Sequence, residues 1–599
     1  MASIAVVTGA DPAVGLWQYL LEIMAVEGLP QPQLVAAERL TEDGRDLSGL
    51  AAVVVPSLDL AASAVEALLA YLRDGGALLL LRPCPAPAAG LGLEEAEGIP
   101  AHLLSDAYLE LEQGHPLTTA VPRGIPYLQY HGPAATYLPG DYVPVARVYW
   151  GGASMPFPAI LTGRLGKGRF VVFAYDLALS TMLFHQGLCS QSSLGSRPDR
   201  SGDSTYTPND LFVGYLNADL RLVPQADLQQ RMMSAALDWL LQDVLPLPRL
   251  WYFPHAWPAL ALINGDGDAM TLEEMCLYVG VVERAGGCYG VYVMGDQYDY
   301  VPPSLVDDLR CRGHYFGPHI WHGLRPSPES FHDHVQREVG AFAAHYGFQP
   351  LSTRHHCVVW PGWVEPARAL AQAGVRVELN FRAAQHYREG YLTGSGLPVH
   401  YVDEDGTLVN VQQQATLLSD DFLFQNKSFL TPLKSEDVIV LTRTMIDDCV
   451  QRYHTVFQPY FHPVYSRVQP PLVPGTYTLP WLQATLDHCN TRGLPILSLD
   501  SWCRFSLARR QALPHHVHYD AEQHTLSFLS AADVSQPGEL DGLTVTVPGQ
   551  WNGMRVSRVA QGRELIPFSS ESWLGRHNAV FQVEAGLATP ICVHYAPGE

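Results

Sequence analysis

The chain of 599 residues is too long for a single hydrophobic core, so its length predicts several domains. Hydrophobic residues make up 47% of the sequence and charged residues 16%, which is typical of a folded globular protein and excludes a largely disordered one. The formal net charge of −23 argues against a nucleic-acid backbone or an anionic membrane as the main partner, and favours a neutral ligand such as a sugar.

The beginning of the chain and its apolar runs predict a cytoplasmic location. The sequence MASIAVVTGADP enters a strand almost at once, with no basic region followed by a long apolar run, so a signal peptide is not expected. No run reaches the ~18 apolar residues that a membrane helix needs. The ten cysteines are scattered without a C-x-x-C pair, which favours small buried side chains over disulfides.

Residues 1–248, the N-terminal unit, are predicted to form an α/β domain. Strands that alternate with helices imply a parallel sheet covered on both faces. The expected strands and helices are Ile4–Thr8, Val14–Gly28, Ala51–Pro56, Ala61–Arg73, Gly76–Arg82 and Asp227–Asp243. The sequence PAILTGRLGKGRFVVFAYDL favours a hairpin around Gly-Lys-Gly, and Gln186–Asp210, rich in Ser, Gly, Asp and Pro, is expected to form a mobile loop.

In strand order and in this hairpin, the N-terminal unit resembles the class I glutamine amidotransferase-like fold, which implies a flavodoxin-like parallel sheet. The catalytic cysteine of that family lies in a G-x-C-x-G turn. The nearest candidate here is Cys84 in LLLLRPCPAP, which is flanked by prolines. A nucleophilic thiol needs a neighbouring base or positive field, and none is evident. We therefore expect a non-catalytic scaffold, which could also join copies of the chain in a homo-oligomer.

Residues 249–512, the central unit, predict a distorted or incomplete β/α barrel of seven or eight repeats. The expected strands are Ala259–Ile263, Tyr289–Met294, His314–His319, Ser352–His356, Arg376–Asn380, Val399–Val402, Gln458–Pro463 and Pro495–Leu499. The helical patterns between them are Leu272–Ala285, Ser304–Arg310, Pro328–Tyr346, Glu365–Ala373, Thr444–Thr455 and Tyr477–Thr491. Because barrel active sites gather at the carboxyl ends of strands, polar residues at these ends are the candidates for function.

Aspartates and histidines occupy several of these positions. Asp266 and Asp268 end the apolar strand in LINGDGDAMT, and the histidine-rich stretch RGHYFGPHIWHG follows about fifty residues later. Carboxylates and imidazoles that strand ends bring together are what a zinc-type hydrolytic site requires. The candidate histidines in this stretch and after later strands are His314, His319, His322, His356 and His462.

Residues 513–599, the C-terminal unit, predict a small β-sandwich. Short alternating runs such as TLSFLS, LTVTVP and PICVHYA are separated by Gly, Pro and Asn. The segment shows no catalytic cluster. We expect it to cover the barrel, with carbohydrate binding as the alternative.

Over some 250 residues the central unit resembles the polysaccharide deacetylase family, carbohydrate esterase family four. That family pairs an Asp-Asp motif at the first strand end with a histidine pair two strands later in an Asp-His-His metal site. Here GDGD separates the aspartates by one residue, and Gly313–His319 matches the family's GHEIGNH-type segment. The second histidine of the family comes four residues later, whereas His322 comes three residues after His319.

This resemblance implies a metal-dependent hydrolase that removes an acetyl group from an N-acetylated sugar or a related amide. A divalent metal, with zinc as first choice, would be held by Asp268, His319 and His322 and would activate water and polarise the amide carbonyl. Asp266 would act as the base and His462 as the acid that protonates the leaving amine. The other implied site residues are Arg354, which orients the catalytic aspartate, and His314, Trp321 and His356, which would contact the substrate.

Other functions stay open at this point. A metal-independent glycoside hydrolase needs two carboxylic acids about 5–9 Å apart. Its candidates are Glu273, Glu378, Glu404 and Asp500, none with a flanking signature. A non-catalytic protein that keeps the deacetylase fold to bind a glycan or a partner would explain the irregular histidine spacing. A glycosyltransferase with a DxD motif would leave the histidines without a function.

Overall fold

The computed structural model describes residues 3–40, 47–96, 107–193, 205–383, 389–424, 432–466, 475–531, 538–585 and 589–598. Over these residues the protein is mixed α/β, with one nine-stranded sheet in the N-terminal unit and another in the central unit. None of the described helices is long and apolar enough to cross a membrane. All ten cysteines are free thiols, and four of them are exposed rather than buried as expected.

The N-terminal unit contains nine strands in the order β2-β1-β3-β4-β9-β8-β7-β5-β6. The strands are β1 (Ser3–Thr8), β2 (Gln33–Ala36), β3 (Leu50–Val55), β4 (Ala77–Leu81), β5 (Tyr108–Leu111), β6 (Tyr127–Gln129), β7 (Val143–Trp150), β8 (Ala153–Leu165) and β9 (Gly168–Phe173). The helices are α1 (Trp17–Val26), α2 (Ala62–Arg73), α3 (Pro85–Gly90), α4 (Leu177–Gln186) and α5 (Gln225–Leu241). The two-residue strand β10 (Arg249–Leu250) follows α5.

The predicted parallel sheet accounts for five of these nine strands. Strands β2, β1, β3, β4 and β9 run parallel, whereas β8, β7, β5 and β6 extend the sheet in antiparallel fashion. The expected Gly-Lys-Gly hairpin joins β8 to β9, with Leu165 paired to Gly168. Gly166 adopts a φ of +60°, and a Cβ there would lie 2.5 Å from the carbonyl oxygen of Arg73, so the turn requires glycine. Cys84 is a half-buried thiol directly before α3.

The central unit alternates strands and helices around a second sheet, ordered β17-β18-β16-β15-β14-β13-β12-β21-β19. The strands are β11 (Leu260–Ala261), β12 (Ile263–Asp266), β13 (Tyr289–Val293), β14 (Tyr315–Ile320), β15 (Ser352–His355), β16 (Val377–Glu378), β17 (Val399–Val402), β18 (Leu408–Gln413), β19 (Leu418–Ser419), β20 (Val456–Phe457) and β21 (Pro459–Phe461). The helices are α6 (Leu272–Arg284), α7 (Pro303–Cys311), α8 (Pro328–Tyr346), α9 (Glu365–Gln372), α10 (Asp420–Phe424), α11 (Ser435–Asp448), α12 (Gly475–Thr491) and α13 (Leu499–Arg509).

The second sheet curls because one run of chain, 408–419, pairs with both of its sides. At its start, β18 pairs in parallel with β16, and the amide of Thr416 then donates to the carbonyl of Phe381 (2.8 Å). At its end the amide of Leu417 donates to the carbonyl of Gln458 (2.8 Å), and β19 pairs with β21. The predicted distorted barrel is therefore seen as a curled, mostly parallel sheet, and the carboxyl ends of its strands face one region.

The C-terminal unit consists of antiparallel strands in a six-stranded and a four-stranded sheet. The strands are β22 (His515–Asp520), β23 (Thr525–Leu529), β24 (Thr544–Pro548), β25 (Gln550–Trp551), β26 (Met554–Gln561), β27 (Glu564–Ile566), β28 (Phe568–Trp573), β29 (Arg576–Gln582) and β30 (Ile591–Pro597). Strand β10 pairs with β24, so the chain that leaves the N-terminal unit contributes an edge strand here.

Buried polar contacts join the N-terminal unit to the central unit. The carboxylate of Glu22 accepts hydrogen bonds from the backbone amide of His400 (2.8 Å) and from Arg510 (2.6 Å). The side chain of Gln186 accepts from the amide of Val402 (2.6 Å) and donates to its carbonyl (2.9 Å). Burial raises the pKa of Glu22, but Arg510 and His400 outweigh it and hold that pKa well below its usual value. These satisfied contacts fix the position of the N-terminal unit beside the strand ends.

Candidate active site

Neighbouring strands of the curled sheet bring four of the predicted residues together. Asp266 is the last residue of β12, His319 lies near the end of β14, Arg354 is in β15, and His462 follows β21. In the sheet these strands are adjacent or one strand apart. The expected gathering at carboxyl strand ends is therefore observed for these side chains.

Asp266 is buried and held by an arginine. Nη1 of Arg354 donates to Oδ1 of Asp266 (3.1 Å), while its other nitrogens donate to the carbonyl of Leu379 (3.2 Å) and to Oγ1 of Thr416 (3.3 Å). The guanidinium also lies over the ring of Tyr460, 4.3 Å from its centroid. Arg354 is thus locked in place, and it fixes the orientation of the Asp266 carboxylate.

Asp268 lies between two imidazoles. Its Oδ1 is 2.8 Å from Nε2 of His319 and 2.8 Å from Nδ1 of His356. Nδ1 of His319 donates to the backbone carbonyl of Arg354 (2.9 Å), which assigns the proton to Nδ1 and leaves a lone pair on Nε2. Nε2 is also 4.0 Å from Oδ2 of Asp266. Although Nε2 of His319 is buried, it has no hydrogen-bond partner among the described residues.

These three residues fit a divalent metal ion. Ligand atoms of Asp268, His319 and His356 all lie within 4.8 Å of one another. One carboxylate and two neutral imidazoles form a donor set of the kind found in catalytic zinc sites, and the contact between His319 and a carbonyl is the usual support for a histidine ligand. Burial raises the pKa of Asp268, but His319, His356 and His462 in their protonated forms outweigh it and hold that pKa well below its usual range; a bound cation would displace the ring protons of its histidine ligands and take over this role. The buried lone pair without a partner is the observation that indicates a ligand here.

The backbone around this group is strained. Ala269, Cys357 and Val358 all adopt positive φ values, 49°, 56° and 46°. This region is unfavourable for residues with a Cβ and most unfavourable for a β-branched side chain such as Val358. Such conformations persist only where the surrounding structure enforces them, and they cluster at functional sites. The strained residues directly follow Asp268 and His356, so they set the positions of two of the three candidate ligands.

On the opposite side, His462 forms a tight pair with Asp420. Nδ1 of His462 donates to Oδ1 of Asp420 (2.6 Å), and the backbone amide of His462 donates to Oδ2 (2.7 Å). Burial lowers the pKa of His462, but the Asp420 carboxylate outweighs it and raises that pKa to about 9. Nε2 of His462 is 3.6 Å from Oδ2 of Asp268. The pair therefore presents a protonated ring nitrogen to the space beside Asp268.

Asp420, Asp421 and Arg382 are among the site residues that were not identified from the sequence. Besides Asp420, Arg382 donates to both carboxylate oxygens of Asp421 (2.9 and 3.0 Å) and to the hydroxyl of Tyr460. The signal available was the pair of adjacent aspartates after an apolar run in TLLSDD. It was not informative by itself, because α10 starts there and acidic residues are common in the first turn of a helix.

The structure does not bring His322 or His314 to this group. The ring of His322 stacks on Phe331, with centroids 4.2 Å apart, and its edge faces His355. His314 lies before β14, at the opposite end from His319. Its Nδ1 accepts from the amide of Tyr289 (3.0 Å), and its Nε2 donates to Glu283 (2.9 Å). His322 is close to His319 in sequence, but its ring packs on Phe331 and lies away from Asp268.

Trp321 lies at the edge of the site. Its side chain is 41% exposed, and its ring meets that of His356 edge to face with centroids 4.6 Å apart. An exposed aromatic face next to a cavity is a common contact for a ligand with apolar patches.

A cavity of about 330 Å³ opens beside these side chains. The residues that line it are Thr205, Thr207, Asn209, Asp266, Asp268, His356, Cys357, Val358, Arg382, Asp421, Phe422, Tyr460, His462 and Tyr465. This size is at the small end of the range for ligand pockets, about 300–1,000 Å³. Three of the lining residues come from the N-terminal unit, within the predicted loop Gln186–Asp210. Residues 194–204 of that loop lie outside the described residues.

The carboxylates considered for a glycoside hydrolase do not line this cavity. Glu273 and Glu404 are exposed. Glu378 is buried and accepts hydrogen bonds from Asn380 and from the hydroxyl of Tyr401 (2.7 Å). Asp500 pairs with Arg504 on α13 (2.7 Å).

Comparisons with known proteins give distant structural matches only. No protein-family model matches the sequence, and no curated protein matches it. A structure from Mycobacterium smegmatis described as a polysaccharide deacetylase is 13% identical, with 45% of this chain and 95% of that chain covered and a TM-score of 0.35. The polysaccharide deacetylase Bc1974 from Bacillus cereus is 11% identical, with coverages of 40% and 91% and a TM-score of 0.26.

A β-galactosidase from the Antarctic haloarchaeon Halorubrum lacusprofundi is 21% identical over 30% of this chain and 29% of that chain, with a TM-score of 0.22. The chain therefore spans less than a third of that enzyme's length. TM-scores this low do not assign a fold or an activity, so the functional conclusion rests on the geometry of the site.

Proposed function

We propose that the protein is a metal-dependent hydrolase of the polysaccharide deacetylase type, which removes an acetyl group from an N-acetylated sugar or a related amide. The observation that carries this proposal is the buried Nε2 of His319, which has no hydrogen-bond partner in the part of the chain that the structure describes and lies near Asp268 and Asp266. A lone pair in this setting, beside two carboxylates and a second imidazole, is suited to a metal ion.

The proposed metal ligands are Asp268, His319 and His356, with His356 replacing His322 in the set expected from the sequence. When bound, a divalent ion such as zinc would supply Lewis-acid polarisation of the amide carbonyl and acidification of water. His319 needs its Nδ1 proton for this role, and the backbone carbonyl of Arg354 keeps the proton there.

Asp266 is the proposed general base. Its Oδ1 is occupied by Arg354, so Oδ2, which lies 4.0 Å from Nε2 of His319, is the oxygen available to take a proton from the attacking water. The hydrogen bond from the Arg354 guanidinium prevents the Asp266 carboxylate from rotating away. Arg354 itself acts as a positioning residue, because its side chain is fully enclosed by protein.

His462 is the proposed general acid, with Asp420 as its positioning partner. Asp420 accepts the hydrogen bond from Nδ1–H of His462, so the second ring proton is on Nε2, which faces the cavity. Transfer of that proton to the leaving nitrogen would complete the cleavage of the amide C–N bond. The products would be a free amine on the sugar and acetate.

A neutral, polyhydroxylated substrate fits the lining. Carboxylates of Asp266, Asp268 and Asp421 make the cavity unfavourable for an anion, while Arg382 is already paired with Asp421. Hydroxyl groups can donate to these oxygens, and the exposed ring of Trp321 lies within reach of an incoming sugar face.

Metal analysis combined with an acetate-release assay tests this proposal. Purified full-length protein should contain close to one equivalent of divalent metal and release acetate from at least one member of a panel of N-acetylated mono- and disaccharides. A chelator should abolish release, and added zinc should restore it. Asp266→Asn is the matched variant, because it should keep the metal and lower kcat by about 10²–10⁴-fold. Chelator-insensitive turnover, or turnover that survives Asp266→Asn, would contradict the proposal.

A further inference from the structure

A short segment of the N-terminal unit forms one wall of the cavity. Thr205, Thr207 and Asn209 line it together with Asp266 and His356 of the central unit. The segment lies outside the central sheet and contributes none of the groups assigned to metal binding or proton transfer. Its presence in the wall nevertheless means that a substrate bound at Asp266 would touch the N-terminal unit.

Backbone hydrogen bonds hold this segment against the two active-site strands. The amide of Tyr206 donates to the carbonyl of Leu324 (3.3 Å), and the amide of Trp360 donates to the carbonyl of Tyr206 (2.9 Å). Leu324 follows β14, which carries His319, and Trp360 follows β15. Tyr206 therefore bridges the loops that leave both strands, and this fixes the segment to the same framework as the candidate ligands.

The next turn of the chain is also fixed. The amide of Thr207 donates to Oδ2 of Asp210 (2.9 Å), which closes the start of the 3₁₀ turn Pro208–Phe212. Phe212 packs edge to face on Phe381 of the central unit, with ring centroids 6.1 Å apart. Asn209 sits inside this turn, so its backbone is held in position.

The side chain of Asn209 has an unused hydrogen-bond acceptor. The residue is only 2% exposed, yet its Oδ1 is buried without a hydrogen-bond partner among the described residues. A buried carbonyl oxygen without a donor is costly and rare in folded proteins. Because Asn209 lines the cavity, the missing donor is most simply supplied by whatever the cavity binds.

We propose that Asn209 is a substrate-specificity residue contributed by the N-terminal unit, and that its Oδ1 accepts a hydrogen bond from a hydroxyl or amide N–H of the bound sugar. This inference rests on the proposed deacetylase function and adds to it a substrate contact outside the catalytic unit. It also gives the N-terminal unit a function other than scaffolding. A neutral acceptor suits a polyol in a cavity that already contains three carboxylates.

Equilibrium binding to the full-length chain tests this contact without relying on turnover. The probes are N-acetylglucosamine and its 3-, 4- and 6-deoxy analogues, measured by calorimetry on the Asp266→Asn background to prevent hydrolysis. Asn209→Ala should raise the Kd of N-acetylglucosamine about tenfold, the effect of one lost hydrogen bond. When Asn209 is intact, one deoxy analogue should bind about tenfold more weakly than N-acetylglucosamine. In Asn209→Ala, that analogue and N-acetylglucosamine should have the same Kd.

Two further variants separate binding from folding. Gln191→Ala, in the same loop but not in the cavity lining, should leave every Kd unchanged. Asn209→Asp, which keeps an acceptor oxygen, should bind the parent sugar more tightly than Asn209→Ala does. Unchanged Kd values in Asn209→Ala, with the folded melting temperature retained, would overturn the contact while leaving the deacetylase proposal intact. Failure of the wild-type chain to bind any of these sugars would overturn the substrate class, and the Asn209 contact would fall with it.

Discussion

The two sides of the cavity each pair an aspartate with a histidine, but the pairs differ in how fully their polar atoms are satisfied. Asp420 receives two hydrogen bonds from His462 and forms a closed pair. Oδ1 of Asp268 lies 2.8 Å from Nε2 of His319, yet within the described ranges that nitrogen counts as a buried atom without a hydrogen bond. A satisfied pair can hold and deliver a proton, whereas converging lone pairs require an added cation. This difference supports the proposed division, with proton transfer on one side of the cavity and metal binding on the other.

The same contrast separates function from stability elsewhere in the chain. Glu22 is buried but has Arg510 and the His400 amide as partners, and it joins two units without facing a cavity. Asn209 is equally buried, keeps a free acceptor and lines the cavity. At these two positions, the buried side chain that has its partners joins two units, and the one whose acceptor has no partner among the described residues lines the cavity.

The largest effect is expected from the metal side, where two histidines can be compared directly. His356→Phe should remove a ligand and weaken metal binding by at least about 100-fold, more than the 10–100-fold typical for a supporting residue. His322→Phe should keep the metal, because the ring of His322 packs against Phe331, His334 and His355 and is not one of the three proposed ligands. Metal content after dialysis, measured for both variants, checks this. Equal loss in the two variants would contradict the assignment of His356.

The next largest effect is expected on the acid side. His462→Gln should lower kcat about 10²–10⁴-fold, since general acids contribute in that range, while the metal content stays at the wild-type level. Asp420→Asn should lower kcat in the same direction by a smaller factor, because the imidazole remains but loses its orientation. Steady-state kinetics with parallel metal analysis distinguishes the two sides. If His462→Gln lost its metal, His462 would be a metal ligand and not the proposed general acid.

The smallest effect on catalysis, and a clear effect on stability, is expected at the junction between units. Glu22→Ala leaves Arg510 and His400 without their buried partner, which should cost about 3–5 kcal/mol of stability. The protein should melt at a lower temperature by circular dichroism, with kcat unchanged at temperatures where it is folded. Glu404→Ala is the control, because that carboxylate is exposed. A large fall in kcat without destabilisation would show that the junction controls the site directly.

The sequence could place a site residue when its position depends on a single strand. It could not do so when the position depends on how several strands and loops pack together. Asp266, His319 and His462 could be placed at one edge of the sheet because parallel strands end there, and the sequence shows where each strand ends; their roles stay predictions. His356 was expected to contact the substrate, and its closeness to Asp268 appears only once the strained turn after β15 is built. His322 followed His319 so closely in the chain that spacing alone favoured it as a ligand.

Asp420 and Asn209 could not be placed from sequence, because each reaches the cavity by tertiary closure. Asp420 depends on the run 408–419 crossing from β16 to β21, and no local pattern reports that crossing. Asn209 depends on an N-terminal segment docking between two loops of another unit. The nine strands of the first sheet were likewise only half foreseen, since the antiparallel extension carries the same alternating apolar residues as a parallel one would.

The most direct test of the account is anomalous diffraction at the zinc absorption edge from crystals of the full-length protein grown with zinc. The account predicts one strong peak bounded by Asp268, His319 and His356, which is lost in His356→Phe and retained in His322→Phe. A site without anomalous density between these residues at saturating zinc, or a peak located beside His322, would contradict the central claim.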